Sequence, residues 1–295
     1  SQNPAVPSTE KTTTVPEEVK SENKTPVVDK PAVIDSTAIF HEALNGTNEV
    51  ITLENNKVRI SLNTKGGTIS DVQLKEFKSY KDFKENKKQS LTLYNNTDAT
   101  MNFIFEMKER NLATSDYYFT PVSVTDSTAT MRLQTAEGAT LDFVYSLLPD
   151  NYMLNFSVRT NGLANLFSPK TQTFSINWQD KIRQQEKGFY FENMYSSLTY
   201  KLANGDTEKL SEQESEEISD WIAFKNQYFS SIFIAAQEFR EANLKSFQES
   251  EHSGFLKKYS ADMQAFFDPS GKQSTDFQFY FGPNKYRVLQ GMDDF

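Results

Sequence analysis

Apolar residues recur at every second position through most of this chain, and no other feature limits its fold so tightly. Val58, Ile60 and Leu62 alternate with Arg59, Ser61 and Asn63. Met101, Phe103, Phe105 and Met107 share one face, and Met131 and Leu133 share another. Leu141, Phe143, Tyr145 and Leu147 alternate, and Tyr152, Leu154, Phe156 and Val158 alternate back. Phe174, Ile176 and Trp178 repeat the pattern, as do Phe277, Phe279 and Phe281 near the end. A helix would bury every third or fourth residue; a period of two belongs to strands with one face inward. We count about fifteen such strands and almost no amphipathic helix, which predicts an all-β chain. One wet face per sheet is the mark of antiparallel pairing, so the predicted fold is a large antiparallel β-sandwich.

Turn signals separate these runs. Asn55-Asn56 suits a two-residue hairpin turn, because Asn tolerates positive φ. Lys65-Gly66-Gly67 makes the next turn, and Pro149-Asp150-Asn151 joins two alternating runs. The Gly-Gly pair is not a phosphate-binding loop, since no G-x-x-x-x-G-K pattern surrounds it. With 24 Phe and 13 Tyr among 295 residues, the core is aromatic.

Residues 1–47 read differently. Five of the ten prolines fall in the first 31 residues, and no aromatic precedes Phe40. Seven acids face four lysines over the segment. Such a composition buries too little apolar surface to offset its ordering entropy, which predicts a flexible, extended linker. Residues 39–44 have the length for one helical turn against the domain. The folded domain is expected over 48–295, with its first strand at Val50. A start at Ser1 without Met or signal peptide reads most simply as an excised fragment of a longer protein, and a processed mature chain would look the same.

The net charge is −9, from 31 basic and 40 acidic residues. That balance argues against a nucleic-acid surface and against docking on anionic lipid. The absence of cysteine removes disulfides, thiolate metal sites and cysteine nucleophiles. No window approaches the roughly 18 consecutive apolar residues that a spanning helix requires. Residues 205–220 carry seven acids against Lys209, without the ordered alternation of a calcium loop; they read as a solvated acidic loop. Only His41 and His252 are available for acid–base work near neutral pH. No catalytic residue, metal ligand or cofactor is therefore assigned.

The densest apolar stretch is Asp220 to Ala236, DWIAFKNQYFSSIFIAA. Trp221 to Phe224 read as a buried strand, Lys225 to Gln227 as a polar bend, and Ser230 to Ala235 as the returning strand. This hairpin is expected to bring Trp221, Tyr228, Phe229 and Phe233 into one core. The spacing Trp221-x-Ala223-x(4)-Tyr228-Phe229 resembles a late segment of the large periplasmic domain of YidC-type membrane protein insertases. The opening strands with Thr64-Lys65-Gly66-Gly67, and the hairpin through Pro149 and Tyr152, are similar to that family too. So is the close, where a strand ends in Gly282-Pro283. There Asn284 is placed to cap a short helix containing Tyr286, Val288, Leu289 and Met292.

The resemblance covers residues 50–295, and what it implies goes beyond the residues themselves. It implies a mutarotase-like β-supersandwich with a short C-terminal helix, forming the periplasmic domain of an inner-membrane protein. The full protein would insert and help fold inner-membrane proteins, alone or with the Sec translocon, and this domain would be non-catalytic. Partners would be accessory Sec subunits and nascent membrane proteins, with Gly282, Pro283, Tyr286, Leu289 and Met292 coupling the domain to its membrane part. The mutarotase-like fold further implies a groove for a peptide or sugar-like ligand. Two rival readings stand beside it. One is a carbohydrate-binding or aldose-epimerase-like protein, which would need a histidine pair. The other is a surface adhesion module on a flexible stalk.

Overall fold

The structure, a computed structural model, describes residues 38–79, 83–210, 213–216 and 218–285. The predicted linker through residue 37 and the predicted helix from 286 onward lie outside them. Nineteen strands are described, more than the fifteen or so that alternation predicts, because several are too short to show a period. All named pairings are antiparallel.

A four-stranded sheet runs in chain order through β1 (Val50–Glu54), β2 (Val58–Asn63), β3 (Ile69–Leu74) and β4 (Leu91–Asn95). A six-stranded sheet contains β5 (Ala99–Glu106), β6 (Asn111–Ala113), β11 (Thr173–Arg183), β14 (Gln213–Glu216), β17 (Phe239–Gln248) and β18 (Phe255–Phe266), in the order β14-β17-β18-β11-β5-β6. The largest sheet uses β7 (Thr120–Val124), β8 (Thr128–Gln134), β9 (Thr140–Leu147), β10 (Met153–Asn161), β12 (Ser197–Leu202), β13 (Thr207–Lys209), β15 (Ile218–Lys225), β16 (Phe229–Ala235) and β19 (Thr275–Pro283). Its order is β13-β12-β15-β16-β19-β10-β9-β8-β7. A short helix, α1 (Phe189–Met194), interrupts the strands.

Alternation explains how the layers meet. Phe143, Tyr145, Phe156, Phe277 and Phe279 project from one face of the nine-stranded sheet. Phe103 of β5 meets Phe143 at 4.8 Å and Phe156 at 5.6 Å between ring centroids. Trp178 of β11 stacks on Phe224 of β15 at 3.8 Å. The small sheet lies against that face as well: Tyr94 meets Phe281 at 5.5 Å, and the Tyr145 hydroxyl donates to the Gly67 carbonyl at 2.7 Å. The sandwich core is thus largely an aromatic network, in which tilted and edge-on pairs add about 0.5–1.5 kcal/mol each beyond their buried area.

Local chemistry departs from expectation at several points. Asn55-Asn56 adopts no positive φ; instead the Asn55 side chain accepts the amides of Lys57 and Val58 at 2.8 and 2.9 Å, closing the turn itself. Gly66 and Gly67 do take positive φ, 83° and 65°, and a Cβ on Gly67 would lie 2.9 Å from the Phe119 ring. The acidic stretch is not a plain loop. Its backbone forms β13 and β14, which sit at the edges of two sheets. Charged residues on an edge keep it from pairing with another chain. Ahead of β1, a 3-10 turn spans His41–Leu44, and Phe40 is buried edge-on against Tyr117 at 6.3 Å. No helix among the described residues is long and apolar enough to cross a membrane.

Candidate functional site

Antiparallel register gathers distant parts of the chain at one end of the nine-stranded sheet. Ser197 pairs with Lys225, and Phe229 pairs with Pro283. The start of β12, the β15–β16 turn and the end of β19 therefore lie side by side. The β3–β4 connection joins them, since Phe77 packs edge-on against Phe229 at 5.2 Å. This end is where the described chain stops, at Lys285.

The β15–β16 turn is held by a buried side chain. Asn226 is 5% exposed, and its Oδ1 accepts the amides of Tyr228 and Phe229 at 2.8 and 2.7 Å. Asn284 ties the end of β19 to the same turn. Its Nδ2 donates to the carbonyls of Asn226 and Gln227, each at 3.1 Å, and its Oδ1 accepts the Ser230 hydroxyl. The predicted capping residue thus spends its side chain on the hairpin. Nearby, the Tyr280 hydroxyl donates to the Pro283 carbonyl at 2.6 Å. A Cβ on Gly282 would stand 2.8 Å from both the Tyr152 ring and that hydroxyl. Tyr286, Leu289 and Met292 lie outside the described residues.

The expected single core of this hairpin needs correction. Trp221, Ala223, Phe229 and Phe233 are buried, but Tyr228 is 46% exposed. Tyr228 sits in the turn, where no partner strand covers it. Trp221 pairs with Ile234 and Ile222 with Phe233, so Trp221 faces away from Phe229 and Phe233. Directly opposed residues share a face and their neighbours take the other. A buried tryptophan in a strand does not reveal which face covers it.

Alternation also hides α1. In Gly188-Phe189-Tyr190-Phe191-Glu192-Asn193-Met194-Tyr195 the polarity of an ordinary surface helix is inverted. Glu192 is 1% exposed, and its two carboxyl oxygens accept the amides of Gln185 and Glu186 at 2.8 Å. Burial raises its pKa, and those two amides offset part of the rise. Lys257 grips the far end, its Nζ donating to the carbonyls of Asn193 and Ser196. Meanwhile Tyr190, Phe191, Met194 and Tyr195 are 70%, 56%, 66% and 53% exposed. At 100° per residue these four positions span an arc of about 140° on one helical face. The spacing i, i+1, i+4, i+5 is the sequence signal of this face, and it breaks the period of two.

Groups capable of acid–base chemistry are dispersed. His41 lines an apolar cleft of about 510 Å³ bounded by Ala38, Phe40, Ala139 and Leu163. That cleft adjoins Thr140 and Asn161, at the sheet end opposite Pro283. His252 is exposed in the β17–β18 turn near α1, so the two histidines do not meet. Asp180 and Asp98 do form a carboxyl pair. Burial, with Asp98 beside it, holds the Asp180 carboxyl well above its ordinary range, while Asp98 is bound by Arg183. The cavity at this pair is about 20 Å³, room for a water and not for a sugar. An open groove of about 650 Å³ crosses the outer face of the six-stranded sheet between Asn177, Arg240, Asn243 and Gln264.

Comparison with known proteins bears on these features. The family model "YidC periplasmic domain" matches residues 50–295. A membrane protein insertase YidC of Phocaeicola vulgatus is 47% identical over 266 residues, covering 88% of this chain and 42% of that protein. The namesake of Bacteroides fragilis is 42% identical over 264 residues, again covering 88% and 42%. The chain thus spans about two fifths of the curated relatives it matches. Among solved structures, a galactose mutarotase related enzyme of Lactobacillus acidophilus aligns with a TM-score of 0.47 at 12% identity, covering 79% of this chain and 97% of that one. The chain belongs to the YidC periplasmic domain family, the periplasmic part of an inner-membrane protein.

Proposed function

We propose that this chain is the non-catalytic periplasmic domain of a membrane protein insertase, which docks partners and positions the membrane-embedded part. The match to the family model through residues 50–295 carries this reading. The full protein inserts and helps fold inner-membrane proteins, alone or beside the Sec translocon, and accessory Sec subunits dock on this domain. Asn226, Asn284, Gly282 and Pro283 support the coupling role. They make the exit of β19 a rigid extension of the sheet, so the orientation of the domain passes to whatever follows Lys285. The placement of His41 and His252 at opposite ends gives an epimerase mechanism no histidine pair to use.

The test is complementation. The full-length protein carrying this domain is expressed in cells depleted of their own insertase, and insertion of a reporter membrane protein is followed by protease protection. Rescue supports the reading; failure to rescue, with the protein present in the inner membrane, refutes it. Deleting residues 286–292 should impair insertion, and unchanged insertion would remove the coupling role. Photo-crosslinkers placed on the domain should capture an accessory Sec subunit, and labelling of none would remove that partner.

A further inference from the structure

Strand β11 breaks its own pattern once. Its inward positions are Phe174, Ile176, Trp178, Asp180 and Ile182, so a carboxyl stands where an apolar side chain is due. Asp180 is 4% exposed and pairs with Tyr259 on one side and Ala99 on the other. Ionisable groups surround it, and none supplies a free counter-charge. Tyr94 of β4 accepts the Trp178 indole N–H at 3.3 Å, and Tyr259 of β18 donates to the Lys225 carbonyl at 3.0 Å. Burial holds both phenols above their ordinary range, so both stay neutral. Asp98, just before β5, is a like charge. Arg183 is committed to Asp98, through Nε at 2.5 Å and Nη2 at 3.1 Å. Lys181 alternates outward over the Phe255 ring at 4.1 Å, and Lys257 donates to the Asn193 and Ser196 carbonyls. Lys225 takes the face of β15 opposite Phe224, whose ring stacks inward on Trp178.

All three sheets meet at the cavity of about 20 Å³ beside Asp180. Thr92 and Leu93 reach it from the four-stranded sheet, and Phe224, Phe229 and Ser231 from the nine-stranded one. Asn226, which holds the β15–β16 turn, lines it too. Phe229 and Ser231 pair with Pro283 and Phe281, so the exit of β19 lies one strand away. A neutral carboxylic acid fits this site, since it needs no counter-charge. A carboxylate would stand beside Asp98 in a space that holds a single water. Hydrating it requires the side chains around the cavity to part. We propose that Asp180 is a proton-operated latch: protonated, it keeps the β15–β16 hairpin and the β19 exit packed against β4 and β11, and ionised, it releases them. Strands β7 to β10 contribute none of the described lining of this cavity and stay closed. The latch belongs to the domain itself and goes beyond the proposed role in insertion.

Hydrogen exchange read peptide by peptide tests this, with D180N as the isosteric reference that cannot ionise. Taking the ratio of unmodified to D180N exchange at each pH cancels the intrinsic pH dependence of amide chemistry. Peptides from β15, β16 and β19 should exchange faster than those from β9 and β10, because they open by a local route. Asp180 holds its proton more tightly closed than open, so opening becomes easier as pH rises. The ratio for the hairpin peptides should therefore climb about tenfold per pH unit above about pH 4, then level once the closed form ionises. D98N, compared with D98N/D180N, should level at a lower pH, because the like charge is gone and Arg183 is freed. A hairpin ratio that stays flat from about pH 5 to about pH 8 would overturn the proposal. So would hairpin and β9–β10 peptides that exchange at one rate with one ratio, since Asp180 would then set global stability alone.

Discussion

Replacing Asn226 with Ala removes one oxygen and leaves two backbone amides without their acceptor. The amide of Phe229 is buried, and an unsatisfied buried donor costs about 1–3 kcal/mol. The amide of Tyr228 is nearer the surface, where water replaces the lost bond at a cost of about 0.5 kcal/mol. The expected loss is thus about 1.5–3.5 kcal/mol. For a fold of this size each kcal/mol lowers Tm by roughly 2–4 °C, giving a fall of roughly 3–14 °C. Thermal unfolding followed by near-ultraviolet circular dichroism of the buried Trp178 and Trp221 measures it. Asn284 provides an internal control, because its amide donates to the carbonyls of Asn226 and Gln227. Loosening the turn should disturb those bonds, so N226A and N284A should couple by at least about 0.5 kcal/mol in a double-mutant cycle. A Tm change under about 2 °C, or strictly additive effects, would refute the claim that this side chain joins the turn to the chain exit.

Three further outcomes follow from individual environments. Phe229→Ala should cost about 3 kcal/mol and Tyr228→Ala less than about 1 kcal/mol in urea unfolding, and equal losses would restore Tyr228 to the core. Gly282→Ala should cost about 1–3 kcal/mol, since its Cβ would meet the Tyr152 ring and the Tyr280 hydroxyl; an unchanged denaturation midpoint would show that both rings move aside. Asp180 binds its proton more tightly folded than unfolded, so its contribution to stability falls as pH rises above its ordinary value of 3.8. Asp180→Asn should therefore be the more stable form near neutral pH, with the difference closing below about pH 4, and a less stable variant at pH 7 would contradict this sign.

Strand identity was legible in the sequence wherever one face is wet and the other buried. Val58, Ile60 and Leu62 are fully buried while Arg59 is exposed, and β9 through Leu141, Phe143, Tyr145 and Leu147 follows the same rule. The rule loses its signal in β15, where Trp221, Ile222, Ala223 and Phe224 are all buried. Periodicity then identifies a strand and leaves its faces undetermined, and only the pairing with β16 separates Trp221 from Phe233. The turn residues show the same division. The presence of Asn55 and Asn226 marked turns, but both act by accepting amides with their side chains and not by positive φ.

Sequence alone thus determined the class of fold, the aromatic character of its core and the membership suggested by local motifs, because these depend on neighbours a few residues apart. Tertiary structure decided what meets at the chain exit. Phe77, Tyr190, Phe191 and Tyr228 lie in three separate segments, and antiparallel register brings those segments to one end. Net charge behaves in the same way: a sum over 295 residues carries no position, whereas electrostatic attraction at a surface fades within about 10 Å. Which charges act together is therefore set by the folded distances between them.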